Sequence, residues 1–322
     1  MEDLFSSKIY KNISTITRFT FFLIMSYTDL ISKAAKQYLE LETSQTHTRC
    51  SGCGNYGILN ALMSAIALEW YAGHQVILAN DVGCSGNVSD KIMINTMHGL
   101  HGRSLPLATG MHLANPHIPI FAMAGDGATM SEWVNHLIHT ARNNYNITFL
   151  LNNNHNYWLT TGQASATTPK WYRMSATPGE TNAHPLIPTQ LVLASWGTFV
   201  ARWYSGNVEQ LIWLIRAGMN HTWFSFIETM QLCPTYSKAT PDKRYEERVY
   251  DIGVRDDYDS TNKRQASQVV EDFDHIATGI LYQNTQEKDF LSLQEHRAWI
   301  SSTPVAETKS FDISWLLSGL RV

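Results

Sequence analysis

A chain of 322 residues that is 44% apolar can bury one large core or two small ones. Its net charge of −4 and pI near 6.3 leave no basic footprint for nucleic acid, and no apolar run is long enough to span a bilayer. Four cysteines are too few for a secreted disulfide scaffold, so a Cys-x-x-Cys pair here points to metal or redox use and to the cytoplasm.

In chain order, Lys8, Lys11 and Arg18 precede a short apolar run from Phe19 to Met25. The run is too short for a membrane span and lacks a small-residue cleavage site. Translation starting at Met25 is the reading adopted, with residues 1–24 a non-core extension; a targeting peptide is the alternative. A helix is expected from Asp29 to Leu41. Next comes Cys50-Ser51-Gly52-Cys53-Gly54, a glycine-bearing turn that can bring two thiolates to one metal centre, then a helix from Ile58 to Tyr71. A strand at Val76–Leu78 opens into the loop Asn80 to Asn87, which contains Cys84 and Ser85. Its glycines suit backbone-amide contacts to a diphosphate. His98-Gly99-Leu100-His101-Gly102-Arg103 follows, then a small-residue helix from Ala108 to Ala114.

The centre of the chain is a strand–helix–strand unit: Ile118–Ala124, a helix from Met130 to Asn143, and Ile147–Leu151. A right-handed crossover makes such strands parallel. The first ends in Gly125-Asp126-Gly127 and the second in Asn152 to Asn154, at the carboxyl ends where ligands collect in these sheets. Asp126 and Asn154 are suited to hold one Mg²⁺ with phosphate oxygens, although Gly-Asp-Gly alone reads equally well as a turn. Residues Thr167 to Pro188 read as a surface excursion. A strand is expected from Gln190 to Val200, a helix from Val208 to Gly218, and a buried strand from Trp223 to Thr229 that runs on to Cys233-Pro234.

Taken together, Gly125-Asp126-Gly127, Asn154-x-Asn156-Tyr157, Thr160-Thr161-Gly162-Gln163, the His98 to Arg103 stretch and the four cysteines resemble the beta subunit of a 2-oxoacid:ferredoxin oxidoreductase, over roughly Thr48 to Gln283. The resemblance implies an α/β fold, a mostly parallel sheet flanked by helices that binds thiamine diphosphate. It implies a cofactor domain over 25–235 and a C-terminal arm over 236–322 that wraps the domain or meets a partner subunit. Ser85, His101, Gly125, Asp126, Gly127, Ala128, Asn154, Asn156 and Leu159 would contact the cofactor. Mg²⁺ would be held by Asp126, Asn154 and the Asn156 carbonyl, and a 4Fe–4S cluster by Cys50, Cys53, Cys84 and Cys233.

The implied reaction is oxidative decarboxylation of a 2-oxoacid to acyl-CoA and CO₂, with electrons passing one at a time through the cluster to ferredoxin. The glutamate that activates thiamine would come from an alpha-type partner, so no catalytic residue for that step is expected here. The sequence departs from the family at Ser51 (usually Pro), Asn87 (often Lys or Arg), Ala128 (often acidic), Asn153 (often Asp) and Trp158 (often Gly). Trp158 would narrow the acyl pocket, and Asn87 leaves the choice of 2-oxoacid open. Two other readings remain: a cluster-free thiamine decarboxylase or synthase subunit, and an electron-transfer or scaffold subunit with a structural four-cysteine zinc site.

Overall fold

The computed structural model describes residues 32–294 except 47, 158, 177–178, 205–206, 232, 237–246 and 273–274, together with Ser314 and Ser318. Residues 1–24, Trp158 and Leu232 therefore lie outside the described residues. After a first helix, α1, at 32–41, the elements run α2 (Asn55–Leu68), β1 (Ile77–Asn80), β2 (Asn95–His98), α3 (Ser104–Ala114), β3 (Ile120–Gly125), α4 (Val134–Asn143) and β4 (Thr148–Asn153). A small hairpin pairs β5 (Asn156–Tyr157) with β6 (Gln163–Ala164). Then come α5 (Pro188–Ala194), β7 (Phe199–Tyr204), α6 (Val208–Asn220), β8 (Ser225–Met230), β9 (Val249–Asp251), α7 (Lys263–Glu271) and β10 (Ile276–Gln283).

Eight strands form one sheet in the order β2-β1-β3-β4-β8-β7-β10-β9. The first six are mutually parallel, β10 runs antiparallel to β7, and β9 lies parallel to β10. Burial is near-continuous along β3, β4 and β8 because both sheet faces are covered. On one face Ile58, Leu62 and Ile66 of α2 and Leu211, Leu214 and Ile215 of α6 pack on Leu78, Met123, Leu150 and Ile227. On the other, Leu105, Leu137, Val192 and Val270, from α3, α4, α5 and α7, pack on Ala122, Phe149, Leu151 and Phe226. Each fully buried Phe contributes about 2–3 kcal/mol relative to an exposed one.

Three expectations change. The stretch from Gln190 is helical, not extended: Pro188 occupies the first turn of α5, and the buried Pro188, Thr189, Val192 and Leu193 have helical spacing. The strand that follows is β7, set off by Trp196 at φ 66°. The stretch from Thr167 does not begin at the surface, since Thr167 and Thr168 are buried. And residues beyond 236 extend the sheet itself, through β9 and β10.

The strand order reverses between β1, which connects to β2 on one side, and β3, which connects to β4 on the other. Ligands in open parallel sheets sit in the crevice at that reversal, outside the carboxyl ends. The loops found there are Asp81–Ser85 after β1 and Asp126–Gly127 after β3.

Candidate active site

Asp81, wholly buried at the end of β1, ties down the first loop. Its Oδ1 accepts from the Val82 and Gly102 amides at 2.8 and 2.9 Å, and its Oδ2 from Ser104 N at 3.4 Å. The His98–Arg103 stretch is thereby pulled over the crevice. Arg103 lies over the Trp133 ring, 3.3 Å from its centroid, which fixes the same stretch from outside.

After β3 the backbone does not enter an α-helix at once. Gly127–Glu132 form a π-type turn, and Trp133, at φ −146° and ψ 52°, separates it from α4. Such wide turns are frequent at functional sites. Gly127 is required here by contact: a Cβ would stand 2.6 Å from the Tyr157 ring. The Tyr157 hydroxyl lies 3.2 Å from both the Gly127 carbonyl and Glu132 Oε1, and its ring stacks with His101 at a centroid distance of 6.3 Å.

The crevice is lined by Val82, Cys84, Ser85, His101, Gly125 to Ala128, Asn152, Asn154, Asn156, Tyr157 and Gln231. Eight of the expected cofactor residues are thus brought together: Ser85, His101, Gly125, Asp126, Gly127, Ala128, Asn154 and Asn156. Leu159 is not among the lining residues and is 58% exposed.

Asp126 is wholly buried. Its Oδ2 accepts from Ser165 Oγ at 2.5 Å and Thr167 Oγ1 at 2.6 Å, and its Oδ1 from the Asn154 amide at 3.3 Å. Burial pushes this carboxyl up, while the two hydroxyls, His155 and the Asn154 amide pull it back. Asn154 Oδ1 accepts the Asn156 amide at 3.0 Å. Asn156 Oδ1 and Gln231 Oε1 are buried without a hydrogen-bond partner among the described residues. Buried oxygens left unpartnered beside a carboxylate form a donor set suited to a hard cation.

Asp126 also heads a buried relay. Thr167 Oγ1 is 3.0 Å from Asn153 Oδ1, Asn153 Nδ2 donates to Glu228 Oε1 at 2.8 Å, and Arg202 Nε donates to Glu228 Oε2 at 3.0 Å. Arg202 Nη2 in turn donates to Thr189 at 2.7 Å. Sequence reasoning missed Ser165, Thr167 and Gln231. The Ser-x-Thr-Thr run invites a loop reading, and only the fold brings it to Asp126.

On the α2 face the four cysteines gather beside the crevice. All are free thiols: Cys53 and Cys233 are buried, Cys84 is half-buried and Cys50 is exposed. Gly52, at φ +75°, lets the turn between Cys50 and Cys53 close. Burial pushes the Cys84 thiol up to about 12, and the charges of Cys53, Cys233 and Cys50 push the same way. Cys53 is also raised, mainly by burial, against the pull of the Asn55 amide and Arg49. Among the described residues no three His, Cys, Asp or Glu side chains are grouped to hold a single metal ion. Two side chains link thiols and crevice. Gln231 lines the crevice and donates to Cys53 Sγ at 3.7 Å, and Asn55 joins the Cys84 carbonyl (3.3 Å) to Asn152 of β4 (3.3 Å).

No helix of the described residues is long and apolar enough to cross a membrane. Residues 73–229 match the family model of the thiamine pyrophosphate enzyme C-terminal, TPP-binding domain, and residues 233–297 that of the C-terminal part of the pyruvate ferredoxin oxidoreductase beta subunit. Subunit beta of 2-oxoacid:ferredoxin oxidoreductase 2 from Aeropyrum pernix is 34% identical over 267 residues, 80% of this chain and 86% of that one. The 2-oxoglutarate synthase subunit KorB of Methanothermobacter marburgensis is 34% identical over 190 residues, 59% of this chain and 67% of its own. Among solved structures, a 2-oxoglutarate:ferredoxin oxidoreductase from Magnetococcus marinus with 2-oxoglutarate, coenzyme A and succinyl-CoA bound superposes with a TM-score of 0.81 at 26% identity. That match covers 89% of this chain and 96% of the other. The fold, its thiamine-binding domain and these relatives together assign the chain: it belongs to the beta subunits of the 2-oxoacid:ferredoxin oxidoreductases, a family of oxidoreductases.

Proposed function

We propose that this chain is the half-site of such an oxidoreductase that carries Mg²⁺, the thiamine diphosphate and a 4Fe–4S cluster, and that it works only with an alpha-type partner. The observation that carries the proposal is the sharing of loops: Cys84 and Ser85 are consecutive, and Gln231 touches both the crevice and Cys53. Asp126, Asn154 and the Asn156 carbonyl would hold Mg²⁺, which templates the diphosphate. The amides of Gly127 and Ala128, with Ser85 and His101, would receive its oxygens. Bound thiamine supplies an electron sink for decarboxylation of the 2-oxoacid, and the cluster a one-electron route to ferredoxin, with coenzyme A taking the acyl group. The glutamate that activates thiamine is assigned to the partner.

The cluster is favoured over zinc because the thiols adjoin the thiamine crevice, where a one-electron acceptor has a use. Cys50, Cys53 and Cys233 all bear electrostatically on Cys84, so the four thiols share one neighbourhood. A reducing, cytoplasmic setting suits four free thiols. Complex prepared anaerobically with its partner is expected to contain about four iron per chain, bound thiamine diphosphate, and a reduced-cluster signal in electron paramagnetic resonance. Stoichiometric zinc without iron would overturn the redox assignment and leave a structural four-cysteine site.

A further inference from the structure

Arg49 stands directly before the first cysteine of the turn, and the chemistry above gives it no task. One edge of its guanidinium is committed: Nη1 donates to the Asn55 carbonyl at 3.0 Å, where α2 begins. Tyr56 supports the same pose, its ring centroid 5.8 Å from the guanidinium carbon and its hydroxyl donating to the Arg49 carbonyl at 3.4 Å. The other edge is the fork, the planar Nε–Nη2 pair with which arginine binds two acceptors at once. Both of those nitrogens are buried, and neither has a hydrogen-bond partner among the described residues. Leaving two charged donors unsatisfied is costly, so a fork held in this way is built for an acceptor. The groups that bear on its charge are Cys53, Tyr56 and Cys84; burial pushes the guanidinium down and these three hold it up.

On the reading that the four cysteines carry a 4Fe–4S cluster, we propose that the Nε–Nη2 edge of Arg49 donates charge-assisted hydrogen bonds to the cluster or its cysteine sulfurs, and thereby sets the cluster's reduction potential. Reduction adds one electron to a buried group that is already anionic. A fixed cation beside it stabilises the reduced form more than the oxidised form, and hydrogen bonds to sulfur act in the same direction. Arg49 is then a positioning and tuning residue that raises the potential, favouring transfer of the first electron away from the thiamine side. Lysine would keep the charge and lose the fork.

The test is a redox titration of the cluster, followed by electron paramagnetic resonance, in the anaerobically prepared complex of the unsubstituted protein, Arg49→Gln and Arg49→Lys, with iron counted in each. Arg49→Gln is expected to keep its iron and to hold the reduced form at least tenfold less favourably, a fall of about 59 mV for a one-electron couple. Arg49→Lys should fall between that variant and the unsubstituted protein. Loss of iron from Arg49→Gln with retention in Arg49→Lys would also support the proposal, since the cluster would then need the cation. An unchanged potential in fully loaded Arg49→Gln would overturn it. Loss of iron from both variants, not restored by chemical reconstitution, would overturn it too, by assigning Arg49 to holding the turn. Zinc in place of iron in the unsubstituted protein is a separate failure, that of the cluster reading itself.

Discussion

At the scale of single residues the proposed site centres on Asp126, a carboxylate buried where an unpaired charge is expensive. Ser165 and Thr167 orient it, and the neighbouring orphaned oxygens of Asn156 and Gln231 give a cation reason to sit beside it. Asp126→Ala removes the proposed charged ligand and takes the acceptor from Ser165, while Thr167 keeps Asn153 Oδ1 at 3.0 Å. Breaking a buried charge pair costs about 3 kcal/mol or more, so thiamine diphosphate affinity should fall by about a hundredfold. Calorimetric titration with Mg²⁺ and thiamine diphosphate checks this, and unaltered affinity would remove Asp126 from the site. That Asp126 and Asn154 meet at one crevice, and that the four cysteines share a neighbourhood, was legible in the sequence because short patterns beside glycine mark them. Ser165, Thr167 and Gln231 were not, because hydroxyl and amide residues are common everywhere and acquire their roles only through contacts between distant segments.

At the scale of elements β1, β3, β4 and β8 were legible because burial on both faces gives them short apolar runs, whereas β2, mostly polar and exposed, was not. The ends of the apolar strands were less so: β4 continues through Asn152 and Asn153, polar residues that an apolar pattern leaves out. Helix α5 was misjudged because Pro188 and a short apolar stretch fit a strand edge as well as a helix start. The end of α4 shows how one residue can join several elements. Asn144 caps that helix in the left-handed region at φ 55°. Its Oδ1 accepts from Thr198 Oγ1 at 2.8 Å and from the Phe224 amide at 3.1 Å, tying α4 to the starts of β7 and β8. Asn144→Gly keeps the backbone but leaves the buried Phe224 amide unmet, while the Thr198 hydroxyl keeps the Phe224 carbonyl at 3.3 Å and His221 Nε2 at 3.0 Å, an expected loss of about 1–3 kcal/mol. Asn144→Ala adds backbone strain of about 1 kcal/mol. Urea unfolding of the full chain distinguishes the two; equal stability of Asn144→Gly and the unsubstituted protein would show that the hydrogen bonds contribute nothing net.

At the scale of the whole molecule, stability should depend on pH through His221. Its ring is buried against Phe199 and Trp223, with Nε2 3.0 Å from Thr198 Oγ1, and burial lowers it to about 4. The unfolded chain binds the proton near pH 6.5 and the folded protein does not, so stability is complete above that pH. It declines as pH falls from about 6.5 towards about 4, by at most on the order of 3 kcal/mol. The unsubstituted protein should therefore lose more stability between pH 7.5 and 4.5 than His221→Gln, measured by denaturant unfolding at each pH. Parallel losses would assign the acid sensitivity elsewhere.

The loop after β1 places Cys84 and Ser85 side by side, and Asn55 fastens that loop to β4 across the sheet. On the cluster reading proposed above, this has a consequence for how the enzyme would fail in air. Oxygen that damaged such a cluster would loosen the same few residues that are proposed to grip the coenzyme. An aerated molecule would shed its vitamin along with its iron. It would stop altogether, and would not persist as a crippled decarboxylase that consumes 2-oxoacid with nowhere to send the electrons.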